Sequence, residues 1–198
     1  RTDPFEDFFA FDSMKLQKHI VPANRPSENA ATLHSSGMHL VELTASAALD
    51  SHSRENSPSK SLSVSRDGFA ATLAQMVTKQ EELDWKCYEL YGLLDDTPRC
   101  DDPPPIQLGQ RAFEIVLARR MEAGEEETTW FTRHSSTPIT EIPDEWPEEY
   151  KQVVQRRIEL IESDRHIGLI ERPEYKRRWN VEPWEQQQER ALRNWLLD

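Results

Sequence analysis

Glycine and cysteine are both scarce: the 198 residues hold six glycines and two cysteines. So little glycine leaves few means of building a loop that cradles phosphate, and no GxGxxG, P-loop, GxSxG or HExxH pattern occurs. Cys87 and Cys100 make neither a disulfide scaffold nor a CxxC pair, so a reduced, cytoplasmic setting is expected. Basic charge is also in short supply. Against 36 acidic residues stand 24 lysines and arginines, a formal charge of -12. A dedicated nucleic-acid module is usually basic, because phosphate neutralisation supplies most of its affinity. Any DNA contact must therefore come from a local patch or from other parts of a larger protein. No apolar run approaches the roughly 20 residues a membrane helix needs, and no signal peptide is visible, so no membrane partner is expected.

Apolar material is thin as well, at 36% of residues with a mean hydropathy of -0.78. A core can form only if these residues are concentrated in amphipathic helices, and part of the chain is expected to stay disordered. The six histidines, His19, His34, His39, His52, His134 and His166, show no zinc-ligand spacing with each other or with a cysteine, so no metal is expected. A starting methionine is missing. The chain opens at Arg1 and closes on Leu196 and Leu197 in mid-pattern, the expectation for a piece of something longer, although a processed protein has the same look.

What is present is helical periodicity punctuated by proline. Residues 36–50 give a stripe of Leu40, Leu43 and Ala47 beside Val41 and Ala48. The serine-rich stretch that follows, through residue 65, lacks the apolar groups to repay its ordering entropy and is expected to be a linker. Over 67–91, Phe69, Leu73, Met76, Gln80, Leu83, Cys87 and Tyr91 recur at helical spacing. Ser65 or Asp67 is the expected cap, Gly92 the stop, and a break near Asp84 is allowed. A helix over 108–123 follows the proline-rich connector, with Leu108, Ala112, Ile115, Val116 and Met121 on one side and Gly124 at its end. Residues 125–146 carry no period. Tyr150, Val153, Val154, Ile158 and Ile161 mark a helix begun at Pro147, and Pro173 and Pro183 each introduce a further short one. No alternating strand pattern competes. The expected fold is mainly α, a helical bundle-like module with long proline- and serine-rich loops.

Candidate chemistry is sparse. "DDPPPI" superficially matches the Asp/Asn-Pro-Pro-aromatic motif of amino-methyltransferases, but Pro105 and Ile106 stand where the aromatic should, and no strand precedes it. It is a structural connector. The acidic run "EAGEEE" is a solvated face or loop. "EYKRRW" sets Lys176, Arg177 and Arg178 between Tyr175 and Trp179, a combination able to hold phosphate and stack on a base. The competing reading, favoured by the overall acidity, is a solvated basic face over a buried Trp179. Trp184 and Trp195, three turns apart, are expected to dock the last helix on its neighbours. No catalytic, cofactor-binding or metal-binding residue emerges.

Longer stretches carry a resemblance. "EELDWKCYELYGLLDD" resembles the segment that follows the catalytic part of large adenine-specific DNA methyltransferases and fused restriction–modification enzymes. "DPFEDFFAFDSMKLQKHIVP" resembles the segment closing their first recognition region. From "GQRAFEIVLARRMEAG" at residue 109 to "ALRNWLLD" at 198, the chain resembles the C-terminal part of the PglX family, the methyltransferases of phage growth limitation and BREX defence. The resemblance implies a parent enzyme that moves a methyl group from S-adenosylmethionine to adenine N6 in DNA, in the cytoplasm. It implies DNA as a partner through that parent, and docking of other defence-system proteins. It also implies a division into 1–22, the end of an upstream recognition region; 23–66, a helix plus flexible linker; and 67–198, a C-terminal helical module. The family's catalytic Asn/Asp-Pro-Pro-Tyr and its glycine motif for the cofactor have no counterpart here, so the piece itself is expected to be inactive and cofactor-free. From the residues alone, a self-contained acidic adaptor for protein interactions remains the alternative. Oligomeric state stays open.

Overall fold

The structure, a computed structural model, describes residues 26–50, 58–179 and 181–197. Residues 1–22, the expected end of an upstream recognition region, lie outside the described residues, as does the 51–57 part of the serine-rich stretch. Within the described residues there are eight α-helices and no strand, so the chain is mainly α. They are α1 (Ser27–Glu42), α2 (Ala45–Asp50), α3 (Pro58–Leu90), α4 (Ala112–Glu122), α5 (Trp130–Arg133), α6 (Glu148–Ser163), α7 (Arg165–Ile170) and α8 (Trp184–Leu197). A single 3-10 turn, Pro173–Tyr175, sits between the last two.

The spine is α3, whose 33 residues span about 50 Å at the usual helical rise. It starts at Pro58, nine residues before the expected Asp67, and it runs unbroken past Asp84. The second half of the serine-rich stretch is thus helix, not linker. Leu62 explains the difference: it is buried in a small cluster with Ala45, Ala48 and Leu49 of α2 and Ala191 of α8. The scarcity of apolar groups predicts a linker here, and the burial of Leu62 by neighbours distant in sequence overrides it. The buried face of α3 also differs from the expected stripe. Val77, Glu81 and Trp85, one turn apart in succession, point inward, whereas Tyr91 is 61% exposed.

Residues 36–50 do not form one helix. Helix α1 begins earlier, at Ser27, and the chain turns at Leu43 and Thr44. The Thr44 hydroxyl accepts from the Ala47 amide at 3.4 Å, an N-cap for α2 that lets the short helix fold back against α3 and α8. Helix α4 is shorter than expected because residues 107–110 form a turn. Its start is fixed by Glu114, whose carboxylate in the first turn accepts from the Arg111 backbone amide at 3.1 Å. Gly92 and Gly124 close α3 and α4 as expected, both at positive φ. Aperiodic residues 125–146 contain α5, whose Trp130 and Phe131 are buried.

The main core gathers Trp85 of α3, Ile106 of the connector, Phe113 to Ala118 of α4, Trp130, Tyr150 and Ile158 of α6, Ile167 of α7 and Trp179. The proline connector is pinned to α3 at Thr78, whose hydroxyl donates to the Pro104 carbonyl at 3.1 Å and accepts from the Ile106 amide at 2.8 Å. Helix α8 belongs to the smaller cluster and lies on α2 and the first half of α3. There one expectation fails: Trp184 is half-buried, but Trp195 is 44% exposed, with Leu196 and Leu197 more exposed still. Trp195 extends the apolar stripe of α8 without docking the helix, so Trp179 and Trp184 act as anchors and Trp195 does not.

Candidate functional site

At the centre of the main core, charge is buried rather than excluded. Helix α3 brings Glu81, Glu82 and Asp84 to one side of the cluster. The start of α4 brings Arg111 and Glu114, the middle of α6 brings Arg157, and the turn after α7 brings Glu171 and Lys176. Burying such groups is costly unless they are paired and hydrogen-bonded, and most of them are.

Glu114 illustrates the rule. Its Oε1 accepts from Arg111 Nη2 at 2.7 Å and from the Trp130 indole at 2.9 Å. Its Oε2 accepts from Arg111 Nε at 3.0 Å, from the Arg111 amide at 3.1 Å and from the Gly109 amide at 2.8 Å. Burial pushes this carboxyl up, but the Arg111 guanidinium and the hydrogen bonds from Arg111 and Trp130 outweigh it and hold the group below its ordinary range. The guanidinium also lies over the Phe113 ring, 4.7 Å from its centroid.

Arg157 crosses from α6 to α3. Its Nη2 donates to Glu82 Oε2 at 2.8 Å and its Nε to the Pro98 carbonyl at 3.0 Å, while the guanidinium stacks 5.2 Å from the centroid of Trp85. Lys176 is the third cation. Its Nζ reaches Glu171 Oε1 at 2.6 Å and Asp84 Oδ2 at 2.9 Å. Tyr88 donates its hydroxyl to the same Glu171 oxygen. Burial alone would lower Lys176, but Glu171 and Asp84 hold it well above its ordinary value. Glu171 is pushed up by burial, against the pull of Lys176. Burial likewise raises Tyr88 and the thiols of Cys87 and Cys100, so neither cysteine is poised as a thiolate nucleophile.

Of the three basic residues singled out from the sequence, the structure separates one from the other two. Lys176 is inside, its charge committed to Glu171 and Asp84. Arg177 and Arg178 are exposed, and Arg177 lies 4.9 Å from the centroid of the buried Trp179. Arg165 and Arg172 stand exposed on the same short run of chain, with no ion pair among the described residues. Sequence reasoning missed Arg111, Glu114 and Arg157. A signal was available: Arg157 falls within the buried series Tyr150, Val154, Ile158 and Ile161, and Glu114 within the apolar run of α4. A charge on an apolar face marks a buried ion pair.

Comparisons with known proteins place the chain. Residues 76–198, well over half of it, match the family described as Domain of unknown function (DUF7008). The chain belongs to the DUF7008 family. The matched region opens within α3 and takes in the whole buried charge cluster. The chain is also 45% identical, over 202 aligned residues, to an adenine-specific methyltransferase PglX of Streptomyces coelicolor. That alignment takes in 98% of this chain and 16% of the relative, and the similarity is to the relative's C-terminal part. The chain thus spans about a sixth of the length of the curated relative it matches. No solved structure matches. Among the described residues, no helix is long and apolar enough to cross a membrane.

Proposed function

We propose that this DUF7008 chain is the non-catalytic C-terminal helical module of a site-specific adenine-N6 DNA methyltransferase in a phage-defence system, where it assists DNA clamping or partner docking. The observation that carries this reading is the closure of the charge cluster. Arg111 with Glu114, Arg157 with Glu82, and Lys176 with Glu171 spend their charges on each other inside the core, as structural groups do, rather than converging on an open pocket. S-adenosylmethionine chemistry belongs, on this reading, to the parent enzyme upstream.

Contact with DNA phosphate falls to the exposed Arg165, Arg172, Arg177 and Arg178. They form a local basic stretch on an otherwise acidic chain. The test uses the purified chain with the parent enzyme truncated before it. The chain alone is expected to transfer no methyl group to DNA, and to restore methylation when added to the truncated parent. Methylation by the chain alone refutes the non-catalytic role, and failure to associate with the truncated parent refutes the accessory one.

A second reading, a self-contained acidic adaptor, is favoured by the exposed Trp195, Leu196 and Leu197 at the end of α8. It requires the chain to capture a defence-system protein with no parent present.

A further inference from the structure

A groove of about 440 Å³ lies between α1, the middle of α3 and the segment that carries Arg177 and Trp179. Leu33 and Met38 of α1 and Met76 and Leu83 of α3 give it an apolar lining. No residue of α1 is buried, although the helix lies along α3. Most of a helix's stability in a protein comes from burying an apolar face, so α1 is short of cover. Met38 is 61% exposed, and Val41, one turn further along, is as open to solvent. Together they make an apolar edge that nothing among the described residues covers.

The charge of the groove is the reverse of the chain's. The chain carries -12, yet neither aspartate nor glutamate lines the groove, and Arg177 does. The Arg177 guanidinium lies over the Trp179 ring, which holds it at the groove, and it has no ion pair among the described residues. His34, exposed on the same lining, can donate or turn cationic but never anionic. The sequence upstream of α1 has the opposite character. It reads RTDPFEDFFAFD, with Phe5, Phe8, Phe9 and Phe11 interspersed among Asp3, Glu6, Asp7 and Asp12. About fifteen residues separate Phe11 from the start of α1, a tether of up to roughly 50 Å. Leu33 is reached within two turns of that start, about 10 Å along the helix.

We propose that this groove takes the chain's own residues 1–12, with phenylalanine rings against its apolar lining and carboxylates turned towards Arg177 and His34. The rings gain burial that water denies them, and the acid-free lining admits carboxylates that most of this chain's surface repels. Little intrinsic affinity is needed, because a short flexible tether holds the segment at an effective concentration of about millimolar. The contact lies within one chain. It therefore goes beyond the accessory role, and stands or falls without DNA, methyl transfer or the parent enzyme.

The experiment uses the whole chain with the photocrosslinker benzoylphenylalanine in place of Phe8 or Phe9. Isotopically light and heavy copies are mixed, and the crosslinked peptides are mapped by mass spectrometry. At least one position is expected to crosslink to the groove-lining parts of α1 or α3, within a single copy. Ala30→Glu and Arg177→Glu each place an acid at an exposed lining position. Each is expected to lower the crosslink yield roughly two- to fivefold at low salt, with the helical circular-dichroism signal unchanged. Glu6→Lys with Asp7→Lys is expected to restore the yield in the Arg177→Glu chain, which a steric effect alone would not do. Crosslinks only between copies would assign the groove to a second chain. That result, crosslinks elsewhere or none, a yield that neither acid lowers, or a rescue that fails overturns the proposal.

Discussion

Lys176 Nζ lies 2.6 Å from Glu171 Oε1, and both side chains are buried between α3 and the turn that follows α7. The pair joins two stretches of chain some ninety positions apart, since Lys176 also bonds Asp84 and Tyr88 of α3. Removing one member strands the others in a low-dielectric interior. Lys176→Met is expected to cost about 3–5 kcal/mol in urea unfolding. The double substitution Lys176→Met with Glu171→Leu should recover a good part of that loss. Equal losses in the single and double variants would show that the pair contributes nothing beyond packing.

The Glu114 carboxyl is held below its ordinary value in the fold. A group depressed in this way contributes stability that is present above its unfolded pKa and is lost as pH falls through its folded value. Stability is therefore expected to fall from about pH 4.3 downward. Glu114→Gln should be less stable at neutral pH, because Arg111 is then buried without its anion, yet show a shallower acid slope. An unchanged slope in that variant would remove Glu114 from the account.

Two glycines at positive φ should respond differently to alanine. A Cβ at Gly109 (φ 95) would lie 2.4 Å from the Thr137 carbonyl oxygen, a backbone atom that cannot swing aside. At Gly92 (φ 66) it would meet nothing within 4 Å. Gly92→Ala is expected to cost about 1–2 kcal/mol, the left-handed penalty alone. Gly109→Ala should cost clearly more, and thermal denaturation of the two variants makes the comparison.

The tryptophans divide in the same way. Trp179 is 5% exposed within the main core, whereas Trp195 is 44% exposed at the end of α8. Trp179→Ala is expected to cost about 3–5 kcal/mol, and Trp195→Ala under about 1 kcal/mol. A large loss at Trp195 would mean that it packs after all.

Leu62 tests the start of the long helix. It is buried against α2 and α8 in the stretch whose serine content argued for a linker. Leu62→Ala is expected to cost about 2–3 kcal/mol. A neutral result would return residues 58–66 to linker status.

By itself the sequence determined the class of the protein: mainly helices punctuated by proline, no strand among the described residues, and the stops at Gly92 and Gly124. These features are set locally, by periodicity and by backbones that only glycine adopts readily. The kinship with the PglX C-terminal region was legible too, because extended runs of residues carry it. Tertiary structure alone decided the rest. The serine-rich first turns of α3 are helical because α2 and α8 cover Leu62, and residues 36–50 split because Thr44 caps a second helix. Lys176 parts from Arg177 and Arg178 because Asp84, nearly a hundred positions earlier, awaits its charge. Periodicity reports which residues share a face, but the partner of that face is chosen by contacts between distant segments, and no local pattern encodes them.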